Sequence, residues 1–121
     1  MTTDQLTEAH RCGRLYAALA ELQKLSTGAH HSLGSPGPAQ QIATEPRKHL
    51  TEHLEKAGRY LLDARNRGNG PAAAAVFRML PDLLPEAKEL PGDLRTDEKR
   101  ERFGEGRDQQ AAEIEKALKS L

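Results

Sequence analysis

The chain has 121 residues, and its 18 Lys and Arg are balanced by 18 Asp and Glu, so the formal net charge is zero. One domain is expected at this length, and neutrality argues against general nucleic-acid affinity, leaving only local patches. Hydrophobic residues make up 36% and aromatic residues 3%, too few of the types that pack on a pleated surface, so an all-α fold is expected, a bundle of four to five helices.

The single cysteine, Cys12, has no internal disulfide partner. The first thirty residues carry Arg11, Arg14 and Lys24 without a continuous apolar segment, so no secretion signal and no membrane partner are expected, and the expected location is cytoplasmic. No stretch approaches the roughly 20 apolar residues that span a bilayer. Charge is unevenly placed: residues 1–78 hold ten Lys and Arg against seven Asp and Glu, and residues 79–121 hold eight against eleven.

In residues 5–26, Cys12, Leu15, Tyr16, Leu19 and Leu22 recur at three- and four-residue spacing, which predicts an amphipathic helix with a buried thiol. Thr3 or Asp4 suits its N-terminus and Gly28 its end. Gly13 lies inside this helix, where glycine costs about 1 kcal/mol relative to Ala, and close approach of another backbone would explain it. Residues 28–46, with three glycines and three prolines, read as an irregular connector with at most a short helical turn at 39–43.

A second long helix is expected from Pro46 to Arg67, stopped by Gly68-Asn69-Gly70, with Leu50, Leu54, Ala57, Leu61 and Ala64 as its apolar stripe. A third starts at Pro71, buries Ala75, Val76, Met79 and Leu80, and is interrupted by Pro81 and Pro85. The last should start at Thr96 or Asp97 and bury Phe103, Ala111, Ile114, Ala117, Leu118 and Leu121, with Gly104 and Gly106 weakening its middle. An up-and-down order is expected.

Catalytic constellations are missing. The four-residue spacing of His49 and His53 suits a shared metal, but no third ligand accompanies them, and His30-His31 is weaker still. No serine sits in a nucleophile elbow and no strand leads into a glycine-rich loop, so neither an enzyme nor a cofactor is expected. The segment from Arg47 to Arg67 carries six basic residues, Arg47, Lys48, Lys56, Arg59, Arg65 and Arg67, against three acids. Such an arc suits a phosphate backbone held without base reading, with Arg11, Arg14 and Lys24 of the first helix as a second surface. Tyr16 and Tyr60 offer little base stacking.

The run from Ala9 to Gln23 resembles the opening helix of the small subunit of type I-C CRISPR Cascade, which corresponds to the C-terminal helical domain of that complex's large subunit. Gly34-Ser35 followed by Pro38-Ala39, and Phe103, Gly106 and Gln110 in the last helix, are similar at the family's spacing. Tyrosines usual between that glycine and glutamine are replaced by Arg107, Asp108 and Gln109. The resemblance implies a non-catalytic bundle, present in further copies of itself, that contacts Cascade backbone and large subunits, belongs to a guide RNA complex and supports the displaced single-stranded DNA. The competing expectation is a free-standing helical adaptor that binds protein partners.

Overall fold

The structure is a computed structural model that describes residues 3–28 and 32–121, with side chains from Gln5 onward. The chain runs α1 (Thr3–Thr27), a 3-10 turn (Ser32–Gly34), α2 (Pro36–Thr44), α3 (Pro46–His49), α4 (Thr51–Glu55), α5 (Ala57–Asn66), α6 (Gly70–Phe77), α7 (Leu80–Leu83) and α8 (Asp97–Lys119). The described residues form an all-α bundle without strands. The stripe read from α1 is buried from Ala9 through Leu22, and Gly28 ends the helix at φ 82°, a conformation that glycine adopts without strain. The cap expected at Thr3 or Asp4 and the pair His30-His31 lie outside the described side chains.

α8 starts where the cap predicts, because the Thr96 hydroxyl accepts a hydrogen bond from the Lys99 amide at 3.3 Å. Its buried face differs from the apolar reading. Phe103, Gly106, Gln110 and Ile114 are buried, whereas Ala111 and Leu121 are exposed. The reason is Gly106, which faces α1. A Cβ placed there would overlap the His10 carbonyl, and one placed on Gly13 would overlap the Phe103 carbonyl. The two glycines are reciprocal, and Gly106 is a contact point where a weakened helix was expected. Contacts climb together along both helices, His10 with Gly106 and Arg14 with Gln110, so α1 and α8 run parallel. A simple up-and-down order would set them antiparallel.

Within the connector expected to be irregular over 28–46, Ser32–Gly34 form the 3-10 turn and Pro36–Thr44 form α2. Pro36 occupies the first turn of α2, where its missing amide costs nothing, and Leu33 and Ile42 anchor the segment in the core. The helix expected from Pro46 to Arg67 is divided at Leu50 (φ −102°, ψ −28°) and at Lys56 (φ −88°, ψ 1°). Its stripe survives, with Leu50, Ala57 and Ala64 buried beside Tyr60, and Leu54 and Leu61 packed on the edge. Asn69 precedes α6, as expected, and Pro81 opens α7 where an interruption was expected.

Residues 84–96 carry the chain back to the start of α1. Leu90 and Leu94 are buried, and main-chain hydrogen bonds tie this segment to the α2–α3 junction, from the Arg47 amide to the Pro91 carbonyl at 3.0 Å and from the Leu94 amide to the Thr44 carbonyl at 2.8 Å. Among the described residues no helix is long and apolar enough to cross a membrane.

Gly13→Ala and Gly106→Ala should each destabilise the fold by about 2 kcal/mol or more, because the obstructing atoms are backbone and cannot rotate away. Gly58→Ala, at a helical position with nothing near its missing Cβ, should instead stabilise by up to about 1 kcal/mol. Urea denaturation followed by circular dichroism separates the two behaviours.

Candidate nucleic-acid interface

The nine basic residues singled out by sequence divide according to what their charges already meet. Three brace the fold. Arg14 donates from Nε to the buried Gln110 Oε1 at 2.9 Å and pairs through Nη2 with Glu113 at 3.1 Å. Arg47 donates from Nε to the Leu90 carbonyl at 3.0 Å and approaches Glu89 at 3.1 Å. Arg11 donates to the Leu84 carbonyl at 3.3 Å and lies between Glu8 and Glu86. These three hold the last third of the chain against α1 and α3. The second surface expected on α1 therefore loses Arg11 and Arg14 to structural contacts and keeps only Lys24.

Lys56 and Arg59 are exposed but paired within their own segment, with Glu52 at 2.6 Å and Asp63 at 3.4 Å. The mutual hydrogen bond holds Lys56 above and Glu52 below their usual pKa values. Lys24, Lys48, Arg65 and Arg67 are exposed and meet no carboxylate among the described residues. Arg67 and Lys24 belong together: the Arg67 guanidinium lies over Gly28, and Asn69 Nδ2 donates to the Leu25 carbonyl at 2.9 Å, which joins the ends of α1 and α5. Cations at two helix C-termini complement the exposed carbonyls there.

Lys48 lies elsewhere. Its neighbour Arg47 shares a surface depression with Gln5 and Glu8 near the start of α1. At 1.5 Å per residue, the Gln5–Glu8 turn and Lys24 are roughly 25 Å apart along the helix. The expected arc is thus solvent-facing but is not one continuous field of free charge.

A polar cluster that the sequence reading missed lies behind the arc. Gln23 Nε2 donates to Ser32 Oγ at 3.0 Å and to the Tyr60 hydroxyl at 3.2 Å, while Gln23 Oε1 accepts from the Leu33 amide at 2.9 Å. The Tyr16 hydroxyl donates to the Leu33 carbonyl at 2.6 Å. His53 Nδ1 lies 2.8 Å from the Tyr60 oxygen, whose own hydrogen can serve a neutral imidazole. The one available signal was spacing, since Gln23 stands four residues after Leu19 on the buried side of α1. Both tyrosines are buried and engaged, so neither is a platform for a base.

Among the described residues no group of three or more His, Cys, Asp or Glu is placed to hold a metal. His53 instead faces Tyr60, their rings stacked with centroids 6.2 Å apart. Cys12 is buried as expected, and burial, with Glu8 adding, pushes its thiol up to about 12.

Comparisons with protein-family models, curated proteins and solved structures give no match.

Burial pulls the His53 imidazole below its usual 6.5, opposed by Glu52 and assisted by Lys56. The unfolded chain therefore binds this proton first. The stabilisation is complete above about pH 6.5 and is lost as pH falls from there through the lower folded value. Denaturation midpoints of the wild type should fall more steeply than those of His53→Gln between about pH 7 and pH 5. Cys12 should resist a disulfide-exchange reagent at about pH 8 until denaturant is added, because only the thiolate reacts.

Proposed function

We propose that the protein is a non-catalytic helical subunit of an RNA-guided CRISPR interference complex of the Cascade kind, where it steadies the assembly and the displaced DNA strand. The observation that carries this reading is where the resembling residues lie. Gly13 of the opening-helix run meets Phe103, Gly106 meets His10, Tyr16 lies against Phe103 with ring centroids 5.7 Å apart, and Arg14 bonds Gln110. Residues that resemble the family at opposite ends of the chain thus form one interface, as a shared architecture requires. Guide pairing supplies sequence specificity in such complexes, so the protein needs only backbone-directed cations. Lys24, Lys48 and Arg67 are free to serve.

Co-expression with a guide RNA and a repeated backbone subunit should yield a complex containing this chain. Replacing Lys24, Lys48 and Arg67 together by Ala should leave assembly intact and reduce opening of the displaced strand, measured by permanganate footprinting at low salt. Loss of three single-strand phosphate contacts should flatten the slope of log affinity against log salt by about 2. An unchanged slope rejects these three residues as contacts of the strand. A stable chain that recovers no guide RNA favours the adaptor expectation instead.

A further inference from the structure

A groove of about 620 Å³ opens between α5 and α6, lined by Gly58, Leu61, Leu62, Arg65, Pro71 and Ala74 among others. Leu62 is 52% exposed there. Leu61, Pro71 and Ala74 continue the apolar wall around it, and a contiguous apolar patch, unlike a lone leucine, is a feature of interaction surfaces. Gly58 also lines the groove, and like Gly37 of α2 it has nothing within 4 Å of its missing Cβ, so the space beside it is open to an incoming backbone.

The charge of the groove selects its occupant. Arg65 lays its stem against Gly70, and its guanidinium meets no carboxylate among the described residues. Among the described residues no acid lines the groove. Three smaller depressions, each of about 400 Å³, all carry at least one carboxylate of their own, Glu8, Glu89 and Asp93 in one, Glu89 in another, Glu21 and Glu115 in the third. A mostly apolar wall with one unpaired guanidinium suits an apolar ridge flanked by a single acid and suits a polyanion poorly, since a strand of phosphates needs several cations and no leucine.

We propose that the α5–α6 groove receives an amphipathic helix from a partner protein, with leucine-sized side chains against Leu61, Leu62 and Ala74, its backbone close to Gly58, and a carboxylate on Arg65. The lining of this groove does not include Lys24, Lys48 or Arg67, and the proposal does not depend on the guide-RNA reading.

The test uses the full chain and a labelled helical peptide bearing two leucines one turn apart with a glutamate beside them, titrated by fluorescence anisotropy. Gly58→Leu fills the groove and should weaken binding by about tenfold or more, while its denaturation midpoint stays at or above that of the wild type. Arg65→Glu should lose the glutamate peptide by a similar factor and recover the version carrying lysine in its place. Absence of saturable binding to the wild type overturns the proposal, as does equal binding to Gly58→Leu. Displacement of the peptide by oligodeoxythymidine, with DNA binding lost in Gly58→Leu, would assign the groove to nucleic acid and overturn it as well.

Discussion

Where Gly13 faces the Phe103 carbonyl and Gly106 faces the His10 carbonyl, the backbones of α1 and α8 touch without side chains between them, nearer than helices spaced by side-chain ridges. At that spacing Tyr16 reaches Phe103, and Arg14 reaches across to satisfy the buried Gln110, which also contacts the Met79 sulfur at 3.2 Å. Tyr16, fixed on that side, presents its hydroxyl to the Leu33 carbonyl, and the turn so placed completes the hydrogen bonds of Gln23. The seam between first and last helices therefore reaches through two side chains to the ordering of residues 32–44. A methyl group at either glycine would be felt well beyond its own contact.

Much of this was legible in the sequence, for reasons that particular residues make clear. Local signals worked: the three-and-four spacing from Cys12 to Leu22, Gly28 as a stop, and Thr96 as a cap all act within one or two turns. Gly13 stood out because a glycine in a strongly amphipathic helix needs a reason. Gly106 reads locally as a weak point of its helix, and only its partner on α1 shows that it is a buried contact. Ordering of 32–44 was missed because proline and glycine outweighed two isolated anchors, Leu33 and Ile42. The all-α class survives these errors, since none of them concerns helix against strand.

The candidate interface was harder to read, because whether a cation is free depends on what lies opposite in space. Lys56 with Glu52 and Arg59 with Asp63 are pairs that four-residue spacing announces. Nothing local announces that Arg47 closes on the Leu90 carbonyl or Arg14 on Gln110, over sequence separations of 43 and 96 residues. A tally of basic residues along a segment therefore overstates the charge available to a ligand. Groove and polar cluster were equally invisible, for both need elements that fold together from distant parts of the chain.

The segment from Leu84 to Thr96 returns the chain to the start of α1 and lays down a broad strip of surface. Two main-chain bonds and two buried leucines hold it, at Pro91, Leu94 and Leu90, and Arg11 and Arg47 grip its Leu84 and Leu90 carbonyls. These hydrogen bonds end on peptide groups of the strip, and a peptide group is indifferent to side-chain identity. Glu86, Glu89 and Asp93 are tied to Arg11, Arg47 and Arg95. At the exposed Ala87 and Lys88, by contrast, evolution can rewrite the surface, like text on a fixed page, while the path of the backbone beneath stays the same.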